Sequence, residues 1–193
     1  MITIKKSNIT FDSVYKEEYV PKDENFKKAN CLILPYKNFR DGVDYCFSEY
    51  AREVLEYLKE NSDGNILMDI AAADEYYQAI ELHSLHLKVG IIITTNVLLP
   101  FVVGLVSNYV YDKIKSMHRK ESEVEVHVEY ISEQPDGSSM SLNYEGPADK
   151  LGEITKNLKQ LMETNASLPN SDKEEKNDNR RNKNKAIFSN IFS

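Results

Sequence analysis

Three acids following the second short apolar run, Asp69, Asp74 and Glu75, are the side chains best spaced for catalysis. Sites in α/β sheets collect at strand ends, and a carboxylate cluster there could hold Mg²⁺ or act as general acid and base. That would make the protein an acid-dependent hydrolase or nuclease. The same acids also suit a solvated turn at the start of a helix, where the macrodipole favours negative charge, and this plainer account carries more weight.

His83 and His86 lie three apart, with Glu81 nearby. On a helix this spacing puts two imidazoles on one face, as a metal site requires. No third ligand accompanies them, so no metal and no other cofactor is expected. The two cysteines, Cys31 and Cys46, form neither a CxxC pair nor a disulfide framework. They fit a reducing compartment, with Cys46 as a core residue. The chain has no GxxxxGK[ST], GxGxxG, GxSxG or HExxH, which removes the commonest phosphate-binding, nucleophile-elbow and zincin classes.

A net charge of −7 argues against nucleic acid as a partner, because such proteins gather Lys and Arg on one face. Glu123, Glu125, His127 and Glu129 alternate with Val124, Val126, Val128 and Tyr130, giving an acidic strand face open to a basic partner. No small-molecule substrate is indicated.

The elements that must position these residues read as an α+β chain. Residues 1–30 form a polar arm with at most one edge strand. A βαβ-like unit over 31–82 runs from CLILPY at Cys31–Tyr36, through a helix with apolar positions Val43, Phe47, Tyr50, Val54, Tyr57 and Leu58, to ILMDI at Ile66–Ile70. Asp41 would cap that helix, with Glu49, Arg52, Glu53, Glu56 and Lys59 on its solvent side. Residues 83–118 read as one long apolar helix. The strand at 123–132, the turn QPDG and the returning Met140, Leu142 and Tyr144 make a β-hairpin, followed by a helix, within 122–162. A polar tail, expected to be disordered, occupies 163–193. Its end carries Ile187, Phe188, Ile191 and Phe192, a pattern suited to a docking peptide.

Val89–Tyr111 contains no charge over 23 residues, 13 of them Ile, Val, Leu or Phe. As a helix it would cover about 34 Å, enough for a hydrocarbon core of about 30 Å. Thr94, Thr95, Asn96, Pro100, Ser107 and Asn108 weaken the drive to insert. Asn96, Pro100, Gly104, Ser107 and Tyr111 share one arc of a helical wheel, a small-and-polar stripe suited to helix association. Lys113, Lys115, Arg119 and Lys120 after the segment, against Lys88 before it, would place the C-terminal part in the cytoplasm. That orientation conflicts with an acidic N-terminal unit whose first residues lack a secretory signal.

The expectation is therefore a non-enzymatic, single-pass protein of the cell membrane with a cytoplasmic C-terminal part. Its apolar helix anchors or self-associates, and its other parts bind a protein partner or a second copy of the chain. The alternative is a cytoplasmic α+β interaction or regulatory module whose apolar helix is buried in an oligomer.

Overall fold

A computed structural model describes residues 1–62, 64, 66–80, 86–154 and 158, with Arg40 by its backbone alone. The chain is α+β, with mixed sheets and, among the described residues, three α-helices. In chain order these elements are β1 (Ile2–Ser7), α1 (Phe11–Tyr15), β2 (Cys31–Leu34), β3 (Tyr36–Arg40), β4 (Val43–Ser48), α2 (Ala51–Glu60), β5 (Met68–Ile70), β6 (Ala79–Ile80), β7 (His86–Thr95), α3 (Leu99–Ser116), β8 (Glu125–Glu133) and β9 (Ser139–Pro147). The large sheet has the order β1-β9-β8-β7-β2-β5, and a smaller one the order β3-β4-β6.

Alternation within the strands builds two cores, one on each face of the large sheet. Cys31, Ile33, Ile92, Val126, Val128 and Tyr130 face one side, where Val54 and Leu58 of α2 and Val102, Val106 and Val110 of α3 bury them. Leu32, Leu34, Ile93 and Ile131 face the other, beneath Val14, Tyr19, Val20 and Phe26 of the N-terminal arm. The arm is held by α1, whose first turn carries a capping box between Thr10 and Ser13 and whose Phe11 N–H donates to Glu133 Oε2 at 2.6 Å.

The expected transmembrane helix is overturned. The uncharged run comprises most of strand β7, a turn at Asn96–Leu98 and most of helix α3. Among the described residues no helix is long and apolar enough to cross a membrane. β7 lies inside the sheet, parallel to β8 and antiparallel to β2, with both faces covered. A strand buried on both faces has no polar side to show, so it reads as a continuous apolar run like half of a span. Thr94, whose Oγ1 donates to the Asn30 carbonyl at 3.1 Å, and Asn96, whose N–H donates to the Glu133 carbonyl at 3.0 Å, mark the strand's end. Pro100 then stands in the first turn of α3, where its missing N–H costs nothing.

A second difference lies at 36–48. The helix expected from Val43 starts at Ala51, and the preceding residues form the antiparallel pair β3–β4 around Asp41-Gly42, with Gly42 at φ +78°. Asp-Gly between alternating residues is a hairpin signal, and here it prevails over a three-and-four spacing of apolar positions. β2 and β5 pair in parallel, with Cys31 opposite Met68. β8 and β9 pair antiparallel across the Gln134–Gly137 turn. Leu151, Ile154 and Leu158, in the stretch expected to form a helix after the hairpin, are buried in the first core. The tail at 163–193 lies outside the described residues.

Candidate functional site

The helix layer carries a cleft of about 300 Å³ between α2 and α3. Ala51, Val54 and Leu58 fix α2 to the sheet, which turns Glu53, Glu56, Tyr57 and Glu60 toward α3. From α3 the cleft receives Tyr109, Asp112, Lys113 and Ser116. Both sets follow the same i, i+3, i+4, i+7 spacing, which places each along one helix face.

Lys113 Nζ donates to both oxygens of Glu53, at 2.8 and 2.6 Å, and lies 5.1 Å from the centre of the Tyr50 ring. Carboxylate and aromatic face together form a cage for an ammonium group. Tyr57 Oη donates to Asp112 Oδ2 at 3.1 Å, and its ring meets that of Tyr109 edge-on at 5.5 Å. No described cation comes within 4 Å of Glu56, Glu60 or Asp112. Four carboxylates therefore face one ammonium.

Tyr109 is 2% exposed, and its hydroxyl makes no hydrogen bond of good geometry, although the Glu53 carboxylate lies close enough to act on it. Burial, then the nearby charge of Glu53, pushes its pKa well up, so it remains a neutral donor. A buried hydroxyl without a partner destabilises the fold. Tyr109→Phe is accordingly expected to leave the unfolding midpoint in urea unchanged or raise it, by up to about 1 kcal/mol. A loss of stability would show that the hydroxyl is bonded internally.

A second polar cluster lies on the opposite face of the large sheet. Tyr36 stacks on His127 with ring centres 6.5 Å apart, and Ser141, 1% exposed, donates to Glu129 Oε1. Burial, then Glu129, raises the Tyr36 pKa. Of the acidic face read along this strand, Glu125 is exposed, whereas His127 and Glu129 are half-buried.

The acids singled out from sequence do not converge. Asp69 is half-buried in β5 and accepts the Ile70 N–H at 2.9 Å. It lines a different cleft with Lys59 and Phe26. Asp74 and Glu75 stand exposed on a 3-10 turn, Asp74 at 3.9 Å from Arg52. His86 opens β7, where a three-residue spacing no longer defines a common face, and His83 lies outside the described residues. Among the described residues no three His, Cys, Asp or Glu side chains are grouped to hold a metal ion. Cys31 and Cys46 are buried, and burial pushes the Cys31 thiol up to about 12.

Of the association stripe, Asn96 lies in the turn before α3 and donates to Gln134 Oε1 at 3.0 Å. Ser107 bonds back to the Val103 carbonyl at 2.7 Å. Pro100 is half-buried, Tyr111 is 51% exposed, and a Cβ on Gly104 would meet nothing within 4 Å. Ile187, Phe188, Ile191 and Phe192 lie outside the described residues.

Of the cleft residues, sequence spacing puts Glu53 and Glu56 on a solvated helix face, Tyr57 on the opposite, apolar face and Lys113 among the charges that follow the uncharged run. One signal was available. Glu53, Glu56 and Glu60 repel one another at i+3 and i+4, and Glu60 closes α2 where the macrodipole disfavours an anion. Comparison with protein-family models, curated proteins and solved structures finds no match.

Proposed function

We propose that this protein is an interaction module that holds a positively charged segment of a protein partner in the α2–α3 cleft. The observation that carries this reading is the surplus of carboxylates around a cation cage already filled once, by Lys113. Glu56, Glu60 and Asp112 repeat the acceptor chemistry without a described cation, beside a buried Tyr109 hydroxyl whose neighbouring carboxylate, Glu53, is held by Lys113. Ion pairs as exposed as these contribute little to folding, so the stability of this chain does not account for the arrangement. A Lys- or Arg-bearing segment supplies the missing charge.

The test is titration of a fluorescently labelled Lys/Ser octapeptide into the full chain, followed by anisotropy at low and at physiological salt. Binding is expected to weaken with salt. The double variant Glu56→Gln, Glu60→Gln should lose at least ~10-fold in affinity while its thermal unfolding shifts upward by about 0.5–1.5 kcal/mol of added stability. Opposite signs for binding and stability mark a site maintained against the fold. Unchanged peptide affinity in the double variant would overturn the reading.

A further inference from the structure

Resting on that reading of the cleft, we propose that the partner segment is an amphipathic helix. Its basic end lies in the cleft, and its apolar end lies along the outer face of α3. The apolar and acidic surfaces are continuous along one element. Phe101, Asn108 and Asp112 stand at i, i+7 and i+11, so they share a face of α3 about 16 Å long. Asp112 belongs to the cleft, whereas Phe101 lies at the other end, 42% exposed, with Val97, 76% exposed, just before the helix.

Between them stands Gly104. A Cβ there would meet nothing within 4 Å, so packing within this chain does not require a glycine, and a glycine inside a helix weakens it. What it provides is a shallow seat between Phe101 and Asn108, open to a bulky side chain from outside. Three turns of a partner helix reach from that seat to Asp112. Such a helix lays its apolar residues on Phe101 and Gly104 and its lysines or arginines toward Asp112, Glu56 and Glu60. The uncompensated acids require the partner to be cationic, and their continuity with the apolar strip requires the same segment to be apolar on one side.

The test uses two labelled 14-residue peptides with identical lysines, one carrying Leu and the other Ser at i, i+3, i+4 and i+7, each titrated into the full chain. The Leu peptide should bind at least ~10-fold tighter, the scale expected from burying even one leucine side chain. Gly104→Leu and Phe101→Ser should each cut that advantage to about 3-fold or less while leaving Ser-peptide affinity unchanged. Failure of the Ser peptide to bind would remove the cleft reading and this inference with it. If the Ser peptide binds but the Leu peptide gains nothing, or gains an advantage that survives both substitutions, the cleft reading stands and the helical partner is overturned. A change in sedimentation of the unliganded protein on Gly104→Leu would also overturn it, by assigning the strip to a contact between copies. Leu is a better helix former than Gly and has open space at 104, so the variant is expected to fold.

Discussion

Val106→Asp is expected to remove roughly 5 kcal/mol of stability, whereas Phe101→Asp, five residues away on the same helix, is expected to leave the unfolding midpoint within about 0.5 kcal/mol of the parent. Val106 is fully buried in the core between α3 and the sheet, and among the described residues no cation is buried with it. An unpaired buried carboxylate costs roughly 3–5 kcal/mol, and losing the valine removes about 1.5 kcal/mol more. A domain of this size has only about 5–15 kcal/mol in total. Phe101 is 42% exposed, so an aspartate there keeps its water. Far-UV circular dichroism during urea titration reads both. Equal damage at the two positions would mean that α3 is surrounded by apolar material on every side, as a membrane span would be, and would overturn the layered packing described above.

That contrast also shows where the sequence was readable. The alternation Val124, Val126, Val128, Tyr130 specified β8 and its buried face directly, because a strand open to polar contacts on one side writes a period of two into its residues. β7 writes no such period. It is covered on both sides, by the helix layer and by the N-terminal arm, so its apolar run merged with that of α3. The markers of division were nevertheless present: β-branched residues before Asn96, and a proline suited to a helix start just after it. At 43–58 the ambiguity ran the other way. Val43 and Phe47 fitted the spacing of Tyr50, Val54 and Leu58, and Asp41 read as a helix cap where it opens a hairpin turn. The candidate site was legible only by halves. Glu53 and Glu56 were recognisable as one polar helix face, but their approach to Asp112 and Lys113 depends on two helices meeting across about sixty residues of chain. Side-chain spacing along one element carries no information about that encounter.

Gly90→Val is expected to lower stability by about 2 kcal/mol or more, through the backbone rather than through crowding. Gly90 holds φ +128°, a conformation that a β-branched residue rarely adopts. Its added Cβ would stand 3.9 Å from Ile33 Cγ2, an ordinary contact, so space alone would permit the side chain. The conformation belongs to a register shift between Lys88 and Gly90 in the pairing of β7 with β8. Before the shift, odd-numbered Leu87 and Val89 face the helix layer. After it, even-numbered Ile92 does so, while Ile93 turns to the N-terminal arm. The extra residue at this bulge is what changes the parity. A strand that straightens to relieve the valine must exchange the faces of Ile91, Ile92 and Ile93, because a slip of one residue moves each side chain to the opposite side. The strained form and the slipped form are thus both costly. Gly104→Val is the matched control: it adds the same side chain to a helix position with open space around it, and is expected to change stability by no more than about 0.5 kcal/mol. Urea midpoints for the two variants decide the matter. Equal midpoints would mean that β7 tolerates a side chain at 90 without strain, and the bulge would lose its role in setting which isoleucines face the helices and which face the arm.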